Sequence, residues 1–157
     1  MTPSPKMLIV AISGKQRSGK TYCAEHLVLR GFMRKSFAAP LKDDIRSMGF
    51  PEKDIQDKPP YMRALMQVYG QARRAVDPDH WATQLRVDLG NLFASWTCAG
   101  SAFTGEDTLR IVIDDMRFPN EFEMLKKLGE DPNIEVRLVR MQRLGDPGDV
   151  SNTEEIS

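Results

Sequence analysis

The apolar run Met7-Leu8-Ile9-Val10-Ala11-Ile12 leads into Gly14-Lys15-Gln16-Arg17-Ser18-Gly19-Lys20-Thr21, which fits G-x-x-x-x-G-K-[ST] at every fixed position. The run has the length and composition of a buried strand, and Tyr22-Cys23-Ala24-Glu25-His26-Leu27 behind the loop suits a helix. A strand that turns through glycines into a helix aims several backbone N–H groups and the positive end of the helix dipole at one spot. Polyphosphate is the natural occupant of such a spot. Gly14 and Gly19 permit positive φ and close backbone approach. In this arrangement the Lys20 ammonium reaches the outer phosphates of a nucleoside triphosphate and the Thr21 hydroxyl takes a position on Mg²⁺. Gly14, Lys15, Gln16, Arg17, Ser18, Gly19, Lys20 and Thr21 are therefore the candidate ATP contacts. The plain alternative, a surface turn with a basic residue, is disfavoured by the flanking strand and helix.

A chain of 157 residues is expected to form one domain, 1–157, around one core. Lys+Arg and Asp+Glu both number 22, so no global field recruits nucleic acid or an anionic membrane, and attraction for phosphate must be local. A small anionic ligand fits that balance better than DNA. Cys23 and Cys98 lack metal-ligand spacing and are expected to be reduced thiols, Cys23 on the apolar side of the first helix. No segment reaches the ~20 apolar residues of a membrane span, and Met1 to Lys6 lacks the hydrophobic region of a signal peptide. A soluble cytoplasmic protein is the expectation.

The pattern places a strand near 7–13, a helix near 19–30, a short strand over Phe32–Ala38 closing at Pro40, and a helix from Leu41 to Met48. Residues 49–60 carry the breakers and charges of a loop, and a helix begins near Tyr61. Asp77-Pro78-Asp79 has the form of a helix start with Asp77 as cap, after which Trp81, Leu85, Leu89, Leu92 and Trp96 recur as a core face. Residues 98–108 suit a loop and Leu109–Ile113 a strand. Asn120–Leu128 suits a helix with Asn120 and Glu123 as capping box and Gly129 as terminator, and Ile134–Val139 a strand. There is no internal repeat. Alternating strands and helices imply an α/β fold with a parallel sheet covered on both faces and ligands at the carboxyl ends of the strands. The helices within about 49–97 interrupt the alternation and form an expected helical lobe beside the phosphate site, suited to a second substrate.

On the helix from Tyr61 to Val76, the residues Met62, Leu65, Met66, Tyr69, Ala72 and Val76 form an apolar side. Arg63, Gln67, Gly70 and Arg74 fall within a wedge of about 60° elsewhere on the wheel. Two guanidinium groups, an amide and a gap at glycine suit a phosphate and a base edge. A solvated polar face is the plain alternative. Ile111-Val112-Ile113-Asp114-Asp115 is an apolar strand ending in acid, the form of a Mg²⁺-ordering carboxylate, and Asp115-Met116-Arg117 sets acid and base together. A charged turn before Phe118-Pro119 is the competing explanation. Arg140 and Arg143 follow the last strand, from where they can approach a nucleotide. His26 and His80 have no acid or nucleophile at triad or metal spacing and are expected to be structural.

Four segments now converge. Ser13 to Thr21, Phe37-Ala38-Ala39-Pro40-Leu41-Lys42, Arg63-Ala64-Leu65-Met66-Gln67-Val68-Tyr69-Gly70 with Trp81 beyond it, and Asp115-Met116-Arg117-Phe118-Pro119-Asn120-Glu121 occur in the order of the bacteriophage deoxynucleoside monophosphate kinases, which this chain resembles over nearly its whole length. The loop is shared by many NTPases; the Pro-Leu-Lys, Arg-x-Leu-Met-Gln-x-x-Gly and Asp-x-Arg elements are more specific. The resemblance implies an adenylate-kinase-like P-loop NTPase three-layer sandwich, ATP with Mg²⁺ as donor, and a deoxynucleoside monophosphate as acceptor. It further implies Lys20 and Thr21 at the triphosphate and metal, Lys42, Arg63 and Gln67 at the acceptor, and Asp115, Arg117 and Glu121 around the reacting phosphates. The candidate catalytic residues are therefore Lys20, Arg117 and Asp115, with Thr21 and Asp115 at the metal and Glu121 among the acceptor contacts; the helix stripe adds Gly70 and Arg74 to the acceptor side, and the end of the last strand adds Arg140 to the ATP contacts. Asp115 is the acid that matches the family, although the strand-then-acid pattern alone favours Asp114.

The chain departs from the family in having Gln71 where Thr is common and Ser151-Asn152-Thr153-Glu154 where a histidine-led element is usual. The family pattern also continues into a further strand and helix past Ser157. The rival expectations are a P-loop kinase for another phosphorylated metabolite, of the dephospho-coenzyme A or phosphomevalonate type, and a nucleotide-binding module with impaired catalysis. A GTPase is disfavoured because no Asn-Lys-x-Asp motif is present. The expected partners are small-molecule nucleotides, with no nucleic acid or membrane; a homodimer is compatible with the sequence, and a phage-encoded member would sit in the host cytoplasm.

Overall fold

The computed structural model describes residues 6–100 and 108–143. In chain order the elements are β1 (Met7–Gly14), α1 (Lys20–Leu29), β2 (Met33–Lys35), α2 (Ala39–Ser47), α3 (Glu52–Asp57), α4 (Pro60–Val76), α5 (His80–Ser95) ending in a π-helical turn (Trp96–Gly100), β3 (Leu109–Ile113), α6 (Pro119–Leu128) and β4 (Ile134–Met141). The strands form one sheet in the order β2-β3-β1-β4, and every pairing is parallel. Helices cover the sheet, which makes this an α/β fold consistent with a P-loop kinase.

The apolar runs dictate this arrangement. Both strands at the centre of the sheet are buried, so Met7, Ile9 and Ala11 pack with Leu109, Ile111 and Ile113 on one face, against Ala82, Leu85 and Leu89 of α5 and Leu125 of α6. On the other face Ile12 and Val112 pack against Ala24 of α1, with Val10, Cys23, Leu27, Phe32 and Met141 at the margin. Each fully buried Ile or Leu contributes about 1.5–3 kcal/mol over an exposed one. A third cluster lies among the helices: Ile45, Ile55 and Met62 are buried together, with Leu41, Phe50, Leu65, Met66 and Tyr69 against them. Among the described residues no helix is long and apolar enough to cross a membrane.

Several local expectations need correction. Residues 49–60 are not all loop, because Ile55 is fully buried and draws Glu52–Asp57 into α3. The second strand is only Met33–Lys35, since Phe32 turns into the α1 cluster. On α4, Met62 is buried but Ala72 is exposed and Val76 is 89% exposed, because the last turns of the helix run past the packing surface. The next helix opens at His80, and Asp77 instead accepts the Asp79 N–H at 3.0 Å to close the preceding turn. The cap of α6 is not Asn120 with Glu123. Pro119 opens that helix, so the reciprocal bonds fall two residues earlier: Glu121 accepts the Phe118 N–H at 3.1 Å, and the Glu121 N–H returns to the Phe118 carbonyl. Asn120 is free to donate to the Pro78 carbonyl (2.7 Å) and Asp79 (3.0 Å), tying α6 to the start of α5. Residues 98–100 belong to the π-helical turn rather than a loop; 101–107, and the Ser151–Glu154 element, lie outside the described residues.

Candidate functional site

β1 and β3 are neighbours in parallel register, Ala11 opposite Ile113, so the segments that follow them leave the same edge of the sheet about 5 Å apart. The first is the Gly14–Thr21 loop. Gly14 has φ 150°, and a Cβ there would stand 2.6 Å from the Met141 carbonyl of β4 and 2.8 Å from the Ser18 hydroxyl. Arg17 and Gly19 also have positive φ, at 62° and 92°, which curls the loop round to the start of α1. Lys20 folds back over the loop, its ammonium donating to the Gly14 carbonyl and, at 3.4 Å, to that of Lys15. The Ser18 hydroxyl is buried with no protein partner. Lys15, Gln16, Arg17 and Thr21 are exposed around the rim. Arg140, in register with Ser13 on β4, is exposed, and so is Arg143.

The second segment follows β3 and treats its two acids differently. Asp114 is buried and paired with Arg34 of β2, whose Nε lies 3.3 Å from Oδ1 while Nη2 meets Oδ2. That is an internal ion pair. Asp115 turns toward the β2–α2 connection, where Oδ2 accepts from the Ser36 hydroxyl (2.9 Å) and the Ala38 N–H (3.1 Å), and Oδ1 from the Phe37 N–H (3.0 Å). A carboxylate offers about four lone-pair directions, so Oδ1 keeps one for a ligand. Arg117 is exposed. Its N–H, like that of Phe118, is held by Glu121, at 2.7 and 3.1 Å. Burial pushes the Glu121 carboxyl above its ordinary value against the lowering effect of those two bonds. Glu121 thus acts on this loop by fixing its backbone.

The α4 stripe approaches the same loop. Arg74 lies over the Phe118 ring at 4.3 Å, a cation–π contact. Arg63 is exposed, its Nε donating to the Lys58 carbonyl at 2.9 Å, and Gln67 is exposed. Gly70 does not leave the gap that the helical wheel suggests. It is buried, its carbonyl accepts the Trp81 indole N–H at 3.2 Å, and a Cβ there would meet Leu41 and Trp81 in ordinary contact. Lys58, in the α3–α4 turn, has no place in the sequence motifs. Its ammonium is held below the ordinary lysine value by partial burial and then by Lys42, Arg63 and Arg117, with Asp115 opposing. Lys58 thus lies in the field of cations from α2, α4 and the β3–α6 loop and of the Asp115 carboxylate, and its own carbonyl holds the Arg63 guanidinium.

Elsewhere, His80 packs edge-on against Trp81 and His26 against Tyr22. A groove of 1130 Å³ between α5 and α6, lined by Asp79, Thr83, Arg86, Glu123 and Lys127 among others, includes no residue of the loop or the cation cluster.

A parallel α/β sheet with a glycine-rich strand-to-helix loop and an acid at the next strand's end defines the class of site. No family model matches the chain. A mimivirus protein (Acanthamoeba polyphaga mimivirus) named "Putative deoxynucleotide monophosphate kinase" is 26% identical over 177 aligned positions, covering 96% of this chain and 81% of that protein. Homoserine kinases of two Pseudomonas aeruginosa strains, LESB58 and UCBPP-PA14, are 37% identical over 82 residues, 51% of this chain. The chain spans only 23% of the length of those homoserine kinases.

Proposed function

We propose that the protein is a phosphotransferase that moves the γ-phosphoryl group of MgATP to a deoxynucleoside monophosphate, giving the diphosphate and ADP. The observation that carries this is the pairing of two phosphate-suited features at one sheet edge: the Lys20 loop after β1, and the Lys42, Lys58, Arg63 and Arg117 cluster beside Asp115 after β3. The mimivirus relative, whose alignment covers 96% of this chain, carries a name of the same kind. The homoserine kinases share half the chain, but a zwitterionic hydroxy amino acid would leave most of the cations unanswered. An acceptor that arrives with its own phosphate answers them.

The residues fit the donor. Among the described residues the Lys20 ammonium is engaged only by main-chain carbonyls that a phosphate can replace, and the buried Ser18 hydroxyl has a hydrogen bond to give. Gly14, Lys15, Gln16, Arg17, Gly19 and Thr21 complete the cradle, with Arg140 beside it. Mg²⁺ would supply charge neutralisation here, and Thr21 and the remaining lone pair of Asp115 are the groups that would hold it. Lys42, Arg63, Gln67 and Arg74 orient the acceptor, and Glu121 keeps the Arg117 backbone in place. An oxygen of the acceptor phosphate attacks the γ-phosphorus as the bond to the ADP oxygen breaks, so no general base is needed. Lys20 and Arg117 neutralise the charge on the transferring group.

The test is ADP formation by the purified chain with ATP, Mg²⁺ and each of four deoxynucleoside monophosphates, beside dephospho-coenzyme A and phosphomevalonate. Stoichiometric ADP with at least one deoxynucleotide is expected. Acceptor-independent ATP consumption, or transfer only to the other metabolites, would overturn the assignment.

A further inference from the structure

We propose that Lys58 is a contact for the acceptor's phosphate, presented by a backbone conformation that lysine adopts at a disadvantage; this rests on the site taking a phosphorylated acceptor. Lys58 has φ 51° and ψ 59°, the left-handed region that any Cβ disfavours. Pro59 follows, and a residue before proline is normally driven to extended backbone. Two local preferences are thus broken at one position. A glycine would take the same turn with less strain, so the turn gives no reason for a lysine.

The turn is nevertheless held from both sides. The Lys58 N–H donates to the Asp54 carbonyl at 2.9 Å, its own carbonyl accepts Arg63 Nε at 2.9 Å, and the Tyr61 hydroxyl donates to the Asp54 carboxylate. These bonds fix the end of α3 to the start of α4 and leave the lysine stem half-buried. The charges around it are Lys42 from α2, Arg63 from α4, and Arg117 and Asp115 from the β3–α6 loop. Among the described residues no carboxylate pairs with Lys58, and Asp115 already accepts three protein hydrogen bonds. A half-buried ammonium held in a strained turn, with the Arg63 guanidinium bonded to its own carbonyl, is a poor structural element and a good receptor for a dianion.

The experiment compares the full chain with Lys58→Gly and Lys58→Arg. Glycine relieves the backbone while deleting the ammonium, so its melting temperature is expected within about 4 °C of the parent. Its KM for the deoxynucleoside monophosphate should rise about ten- to hundredfold. The KM for ATP should stay within about twofold, and Lys58→Arg should restore the acceptor KM to within about threefold. An unchanged acceptor KM in Lys58→Gly, or equal rises in both constants, would overturn the proposal. A second readout needs no turnover: the side-chain NMR signal of Lys58, assigned by its loss in Lys58→Gly, is followed during titration with inorganic phosphate. It should shift and saturate. If the parent forms no ADP with any deoxynucleotide, the acceptor assignment falls while the phosphate titration still judges Lys58; a signal that stays still at high phosphate refutes its role.

Discussion

Gly14→Ala should destabilise the fold as well as disable the loop, and two other glycines allow the causes to be separated. At Gly14 the backbone sits at φ 150° and the new methyl would stand 2.6 Å from the Met141 carbonyl oxygen, 2.8 Å from Ser18 Oγ and 3.3 Å from Met141 Cβ. The nearest obstacle is main chain in the paired strand, Gly14 being in register with Met141, so no rotamer change can clear it and β1 must move from β4. Strain contributes about 1–2 kcal/mol and overpacking about 1–3 kcal/mol, together roughly 2–5 kcal/mol. For a chain of this size that is a fall in melting temperature of roughly 5–20 °C. Gly19 has φ 92° with only the Met141 methyl at 3.8 Å, and Gly49 has φ 96° with nothing within 4 Å. Alanine at either adds strain alone, about 1–2 kcal/mol. Thermal unfolding followed by circular dichroism should therefore order the three, with Gly14→Ala clearly lowest and the other two together. If Gly14→Ala melts with Gly49→Ala, the contact between β4 and the loop is not what fixes this glycine.

Lys20→Ala should lower turnover by at least about two orders of magnitude, the scale of losing a charge-stabilising group, while the circular dichroism spectrum is retained; near-parental turnover would remove the mechanism. Arg63→Ala and Gln67→Ala should raise the acceptor KM by about tenfold with little change in the ATP KM, and equal effects on both would count against their facing the acceptor. Glu121 should make stability depend on pH in a defined sense. Its folded value lies above the ordinary 4.5, so the fold favours its protonated form, and its contribution weakens as pH rises from that value through the folded one. Glu121→Gln keeps an acceptor for the Arg117 and Phe118 N–H groups, so its stability relative to the parent should grow from about pH 4 to about pH 7 in denaturant titrations. A difference that is flat across that range refutes the assignment.

The central strands β1 and β3 were legible because they are largely apolar runs, β4 because its apolar residues alternate with charged ones, and the Gly14–Thr21 loop because its chemistry is written in fixed spacing. Helix starts were less legible. Prolines 60 and 119 can stand in a first turn, but the sequence pattern does not say whether the cap is Phe118 with Glu121 or Asn120 with Glu123, since both pairs have the required spacing. The helical wheel of α4 set Arg63, Gln67, Gly70 and Arg74 on one stripe, yet it could not foresee that Trp81, eleven residues beyond Gly70, would close over that glycine. Lys58 and Ser36 were illegible for a related reason. Ser36 owes its position to Asp115, distant in sequence, and Lys58 to main-chain hydrogen bonds with Asp54 and Arg63, and side-chain spacing is blind to both. The weak local signal at Lys58 was a lysine directly before Pro59-Pro60.

The two ends of the proposed transfer carry positive charge before any ligand arrives, and they accommodate it differently. Lys20 is satisfied within its own loop by the carbonyls of Gly14 and Lys15, so the donor side has a relaxed empty form, and a triphosphate must draw the ammonium away from both hydrogen bonds. The acceptor side is answered less fully: Arg63 donates to the Lys58 carbonyl, but among the described residues no carboxylate pairs with Lys58, and Asp115 is largely occupied by the β2–α2 backbone. Phosphate there relieves a repulsion that already exists. Spare positive charge is also what phosphoryl transfer requires, since charge spreads over the equatorial oxygens while the group passes between donor and acceptor. An uncharged acceptor would use that field only during the reaction; a phosphorylated one uses it first to bind and then to react.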